Sequence, residues 1–359
     1  MKKTALIMAG GRGERFWPRS RKNLPKQFLS LTNDGITMMQ HTVNRILPLV
    51  DINDIYISTN EEYLNIVREQ LPNIPKENIL CEPVARNTAP CIALAAMHIM
   101  NKNGDALMVV LPSDHLVRHK EMFNYTLKDA FNVAEVNSNL VTLGVVPTAP
   151  ETGYGYIKFN EKRHSFNGCN AFEVDCFIEK PDLDKAKEYL SSGAYLWNSG
   201  MFIWKTSSII SNIKKFLPNI YNGVNNIEKA ITSEDYQQVL QKEFAEFESI
   251  SIDYGILEKA TDIFVVPSSF GWDDVGSWLA LERINKTDDS KNVVDGNVIT
   301  IDTKNSIIQA QEKLIATVGI EDLIIVDTKD ALLVCNKNDS NKIKKVLENL
   351  RICNRKEYI

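Results

Sequence analysis

The sequence predicts an α/β chain: a mostly parallel αβα sandwich, followed by a small β-rich domain that closes on a helix. Three observations predict it. Short continuous apolar runs recur through the first 150 residues, as strands buried on both faces require. Segments of helical periodicity separate them, the alternation that a parallel sheet demands. From about Asn285 the texture changes to short apolar runs at close, even spacing, as in a small β domain or the start of a β-helix. The 359 residues suit roughly two domains, placed here at 1–285 and 286–359.

Thr4–Ala9 is the first buried strand, ending on Gly10 and Gly11. A helix follows around Met38–Leu47, a strand at Ile55–Ser58, a helix through Tyr63–Leu71 and a strand near Ile79. Then come an alanine-rich helix over Ala89–Met100, the strand Ala106–Leu111, a helix over Met122–Val136 and the strand Leu140–Val146. Beyond Pro150, Gly153–Phe159 and Ala171–Ile178 alternate like antiparallel strands and suit a wall or lid of a pocket. The tail reads as strands at Val298–Ile301, Ile307–Ala310, Leu314–Val318, Leu323–Val326 and Ala331–Val334. In the closing helix Ile343, Val346, Leu347 and Leu350 share a face, Asp339 or Ser340 can cap it, and its lysines read as a solvated face.

With 41 Lys+Arg against 46 Asp+Glu the net charge is −5, which argues against a nucleic-acid binder with a broad basic face. Any phosphate must be met locally. The apolar stretch behind Lys2 and Lys3 is too short for a secretory signal, and no run approaches a membrane span. A cytoplasmic protein with no membrane partner is expected. Six scattered cysteines without a C-x-x-C pair read as buried free thiols, and five histidines show no ligand spacing.

The chemistry begins at Ala9–Phe28. Gly10, Gly11 and Gly13 let backbone N–H groups approach a polyphosphate, while Arg12, Arg15 and Lys26 supply charge. The spacing is neither a P-loop nor a dinucleotide fingerprint. By itself the loop could be a tight turn, and Lys26 after a proline could be a surface lysine. Asp114 follows a strand at the carboxyl edge of the sheet, where open α/β sheets bind ligands; alone it could cap a helix. A guanine site needs mixed donors and acceptors, which Asn87 and Thr88 could supply with Arg86 nearby; either could equally cap the Ala89 helix.

The run AGGRGERFWPRSRKNLPKQF resembles the signature of sugar-1-phosphate nucleotidyltransferases, and with WPRS and PKQF it is similar to their mannose-1-phosphate guanylyltransferase branch. EPVARNTAP, LPSDH, TGYGYI, FIEKPD, LWNSGMFIW, SIDYGILEK and WDDVGSW follow in the family's order. The resemblance covers nearly all of residues 4–285. Glu14 stands where Thr is frequent and Arg19 where Leu is usual. The resemblance implies a Rossmann-like fold with a mostly parallel, mixed sheet of the nucleotide-diphospho-sugar transferase type and a β-helix-like C-terminal domain.

It also implies attack of a sugar phosphate on the α-phosphorus of GTP, giving GDP-mannose from α-D-mannose 1-phosphate. By resemblance Asp114 and Asp274 hold Mg²⁺, Arg15 meets the β- and γ-phosphates, Lys26 the α-phosphate and Lys180 the sugar phosphate. Ala9, Gly10, Gly11, Gly13, Glu82, Asn87 and Thr88 fall to the nucleotide, and Gly153, Glu179 and Asn198 to the sugar. Trp197 and Trp204 read as core. Another sugar phosphate, such as a heptose 1-phosphate, is the nearest alternative; a silent sugar-nucleotide-binding subunit is the other. The roughly 75 residues after Asn285 contain no histidine and are too few for a fused isomerase barrel, so no isomerase activity is expected. A homodimer through the C-terminal domain is implied for dimeric members.

Overall fold

The computed structural model describes residues 1–11 and 13–359; Arg12, one of the bases expected in the opening loop, lies outside the described residues. Contacts gather the chain into two units that interleave along the sequence. The first comprises Met1–Gly10, Thr42–Ser113 and Val117–Trp272; the second comprises Gly11–His41, Asp114–Leu116 and Asp273–Ile359.

The strands up to the end of the first unit are β1 (Lys3–Met8), β2 (Ile55–Asn60), β3 (Ile79–Glu82), β4 (Leu107–Pro112), the two-residue β5 (Leu116–Val117), β6 (Leu140–Val145), β7 (Tyr156–Phe166), β8 (Cys169–Ile178), β9 (Tyr195–Lys205) and β10 (Ile263–Ser268). Leaving β5 aside, they form one sheet in the order β3-β2-β1-β4-β9-β6-β10-β8-β7. β1, β2, β3 and β4 run parallel, as do β6 and β10. β9 is antiparallel to β4 and β6 and makes the sheet mixed. β7 and β8 pair antiparallel, as their alternation required, and lie at one edge.

Both faces of the central strands are covered. Leu6, Met108 and Val110 join a core with the helices Thr88–Asn103, Thr206–Phe216, Pro218–Lys229 and Tyr236–Glu246. Ala5, Ile7, Val109 and Leu111 point the other way and are equally buried. Alanines at 89, 93, 95 and 96 pack the first of those helices into this core. Trp204 is buried with Phe202, their rings stacked 5.6 Å apart, and Trp197 is buried too. The helices between Thr206 and Glu246 and the strand β10 went unread in the sequence.

After β11 (Trp272–Asp273) the second unit contains β12 (Val293–Asp295), β13 (Val298–Ile301), β14 (Ile307–Gln309), β15 (Ile315–Val318), β16 (Leu323–Asp327) and β17 (Leu332–Asn336). β12, β14 and β16 stack in parallel with Val293, Ile307 and Ile324 in register, and β13 pairs in parallel with β15. Successive coils thus superpose like residues, which is how a β-helix builds its core. That core is shared with the opening loop: Phe16, Trp17, Leu29 and Leu31 pack with Trp278, Val293, Ile307 and Ile324. The Trp278 indole N–H donates to the Trp17 carbonyl at 3.1 Å.

Two readings need correction. The final helix spans Ile343–Ile352 and is capped by neither Asp339 nor Ser340. A 3-10 turn over Lys337–Lys342, itself capped by Asn336, runs straight into it and occupies the place a cap would take. All six cysteines are free, but only Cys91 is buried; Cys176 is exposed on β8 next to exposed Asp175, and Cys353 is exposed just after the last helix. No helix among the described residues is long and apolar enough to cross a membrane.

Candidate active site

The second unit brings together the charged residues singled out in its segments. Gly13, Arg15, Lys26, Asp114 and Asp274 line one cavity of about 970 Å³. Lys26 is 5% exposed, so it is no surface lysine. Its ammonium donates to Asp114 Oδ2 at 2.8 Å and to the Asp274 carbonyl at 2.6 Å. Burial alone would raise the Asp114 carboxyl. Lys26, aided by His115 at 3.8 Å, outweighs it and holds that carboxyl below the usual range. Arg15 Nη1 donates to the Gly276 carbonyl at 3.4 Å.

Local geometry explains why these side chains hold their places. Gly13 has φ 55°, and a Cβ there would stand 2.4 Å from the Lys26 backbone nitrogen; only glycine lets the two strands of the loop meet. On the other wall Val275 has φ 46°, an outlier for a β-branched residue. It is held by its N–H, which donates to Asp273 Oδ1 at 2.8 Å, while Arg283 clamps the same carboxylate at 2.6 and 3.0 Å. Gly276 N–H donates to Asp274 Oδ1 at 3.1 Å. Asp273 is therefore the residue that aims Asp274, a role the doubled aspartate in WDDVG signals only in hindsight. The two departures from the family pattern are absorbed: Glu14 pairs with Arg351 at 2.7 Å, and Arg19 bonds Gln309 and Ser30.

A second cluster lies in the first unit. Glu179 pairs with Lys180, which takes φ 43°. Asn198 donates its backbone N–H to the Gly155 carbonyl at 2.8 Å, and its amide oxygen accepts from Gly200 N at 3.1 Å. A Cβ on Gly155 would meet Glu179 Oε2 at 2.9 Å, whereas one on Gly153 meets nothing within 4 Å. Gly155 is thus the constrained glycine of TGYGYI, and Gly153 faces open space. Asn198 Nδ2 donates at 3.0 Å to Asp253 Oδ1. Asp253 opens a π-helical turn, Asp253–Leu257, a geometry frequent at functional positions. Burial pushes its carboxyl above the ordinary range, against the hydrogen bond from Asn198. The sequence reading passed over it, although it stands within SIDYGILEK.

The base-side candidates spread along β3 and the following helix. Glu82 is buried and accepts from Ser58 Oγ at 2.6 Å; burial raises its carboxyl, against that hydrogen bond. Asn87 does cap the helix, its Oδ1 accepting from Thr88 N at 2.9 Å, with φ 67°. Thr88 Oγ1 accepts from Ile252 N at 2.8 Å, and Arg86 holds the Phe244 and Ala245 carbonyls. Ala9 continues the β1 ladder through Ser58, Gly10 follows it, and the Gly11 carbonyl accepts from Gln27 Nε2 at 2.9 Å.

Residues 4–291 match the nucleotidyl transferase family model. The chain belongs to that family. It is a nucleotidyltransferase, with residues 296–350 matching a mannose-phosphate isomerase/GMP-like β-helix domain. The family generally uses a divalent cation. Among its relatives, a mannose-1-phosphate guanylyltransferase of Salmonella montevideo is 44% identical over 99% of this chain and 75% of its own. One from Escherichia coli K12 is 40% identical over 98% of this chain and 74% of its own. A solved structure from Thermus thermophilus, described as a mannose-1-phosphate geranyltransferase, is 32% identical, covers 98% of this chain and all of its own, and superposes with a TM-score of 0.88. A Helicobacter pylori structure described as mannose-6-phosphate isomerase is 28% identical with a TM-score of 0.61, covering 76% of this chain and all of its own.

Proposed function

We propose that the enzyme transfers GMP from GTP to α-D-mannose 1-phosphate, releasing pyrophosphate and forming GDP-mannose. The observation that carries this reading is Lys26, pinned between Asp114 and the Asp274 turn in a cavity it shares with Arg15. A sugar-phosphate oxygen attacks the α-phosphorus as the bond to the β-phosphate oxygen breaks. Lys26 offsets charge gathering on the α-phosphate, and Arg15 the charge left on the departing pyrophosphate. Ala9, Gly10, Gly11 and Gly13 take the nucleotide's phosphate chain, and Glu82, Asn87 and Thr88 the base.

Asp114 and Asp274 offer hard oxygens to one cavity, a donor set that fits Mg²⁺ with phosphates and water filling the remaining positions. Bound there, Mg²⁺ would neutralise phosphate charge and polarise phosphoryl oxygens. On the sugar side Lys180 takes the phosphate of the incoming sugar. Glu179, Asn198 and Asp253 take hydroxyls near the Gly153–Gly155 segment. Residues 1–285 make up the catalytic domain, and 286–359 the small domain through which two copies pair, supported by exposed Ile299, Ile301 and Val318. The cytoplasm is the compartment in which these substrates meet, and neither nucleic acid nor membrane is a partner.

A panel of nucleoside triphosphates against sugar 1-phosphates, read by pyrophosphate release, tests the assignment. GTP with mannose 1-phosphate is the expected best pair. Fast turnover of dTTP with glucose 1-phosphate and none with GTP overturns it, and preference for a heptose 1-phosphate reassigns the sugar. Undiminished function of Asp114→Asn and Asp274→Asn would point instead to a silent subunit. Light scattering reads the dimer.

A further inference from the structure

The cavity that holds Arg15, Lys26, Asp114 and Asp274 is also lined by the end of the chain, through Ser340, Asn341, Ile343, Lys344 and Leu347. Ile343 and Leu347 are buried in the core that contains Phe16 and Trp278, which fixes the rotation of the helix Ile343–Ile352 about its axis. With that face anchored, Lys344 borders the cavity and Lys345, about 100° further round, does not.

The charges sort the cavity further. Glu14 is neutralised by Arg351 of the same helix at 2.7 Å, and Asp114 by Lys26 at 2.8 Å. Lys344 has no ion-pair partner among the described residues. The helix packs against the turn Glu14–Phe16 that carries Arg15, and Lys344 and Arg15 line the same cavity.

We propose that Lys344 binds the terminal phosphates of the nucleotide, the ones that depart as pyrophosphate. This rests on the nucleotidyl-transfer reading above and adds to it a basic group from the far end of the chain. An exposed ammonium on a flexible stem, in the same cavity as the Arg15 guanidinium, suits a group that must first hold the triphosphate and then release its product.

Steady-state kinetics of Lys344→Ala in both directions test it. The expected result is a KM about tenfold higher for GTP and for pyrophosphate, the scale of one charge-assisted contact, with KM for mannose 1-phosphate unchanged. Lys344→Arg restores the wild-type values, and Lys345→Ala, which loses the same net charge, behaves as wild type. If Lys344→Ala and Lys345→Ala are indistinguishable, the inference falls. If the wild type does not turn over GTP with mannose 1-phosphate, the parent reading fails instead. Calorimetric titration with pyrophosphate then decides separately: weaker binding by Lys344→Ala supports the contact, and equal binding overturns it.

Discussion

Asp114 in one unit and Asp253 in the other are half-buried carboxylates, and their affinities for a proton shift in opposite directions. Burial acts on both in the same direction. Asp114 faces the Lys26 ammonium, and its carboxyl is held low; Asp253 faces the neutral amide of Asn198, and its carboxyl is held high. The partner, rather than the depth of burial, decides the outcome. One region therefore keeps a fixed ion pair, while the other keeps a carboxyl inclined to hold its proton.

The largest expected effect comes from removing the cation that makes the difference. Lys26→Ala lowers kcat by about 10²- to 10³-fold, the usual scale for a lost charge-stabilising donor, read by pyrophosphate release; a loss under tenfold would remove Lys26 from the chemistry. Gly13→Ala attacks the same region through its backbone. A Cβ 2.4 Å from the Lys26 backbone nitrogen at φ 55° should destabilise by at least about 1–3 kcal/mol and displace Lys26, so thermal unfolding and activity fall together. Intact activity would show that the loop can open without consequence.

Asp253→Asn sharpens the other side of the comparison. It should raise KM for mannose 1-phosphate about tenfold, the worth of one hydrogen bond in a half-buried site, and leave KM for GTP alone. A change in the GTP value would move Asp253 out of the sugar region. The smallest effect is a pH dependence at Glu82, whose carboxyl is raised by burial. The folded state then holds its proton more tightly than the unfolded chain, so stability declines as pH rises from the ordinary carboxylate range through the elevated folded value. Glu82→Gln removes that slope. Its unfolding midpoint, relative to wild type, should climb with pH across that window, and a flat difference would show that Ser58 alone compensates the charge.

The strands of the first unit were legible because burial on both faces turns them into continuous apolar runs, as at Ala5–Ile7. The antiparallel pair β7 and β8 was legible because one of its faces is wet. The stretch from Thr206 to Glu246 was not, since its short helices lie between motifs that drew the reading elsewhere. In the candidate site, Arg15, Lys26, Asp114 and Asp274 were found by motif order, and their meeting in one cavity depends on pairings across more than 200 residues that no local pattern encodes. Asp253 and Asp273 were hidden for a different reason. Each acts on a neighbour, Asn198 or the turn at Val275, and such roles exist only once the chain is folded. Lys344 and Lys345 are interchangeable as letters; the burial of Ile343 and Leu347 is what tells them apart.

The core that Phe16 and Trp17 share with Trp278, Val293 and Ile307 bears on how this architecture can be inherited. A recombination event near residue 285 would exchange the tail while leaving behind the opening aromatics that its coils are shaped to accept. Grafted tails should succeed only when segment 11–41 travels with them, so the two stretches form one unit of exchange though most of the other unit lies between them in the sequence.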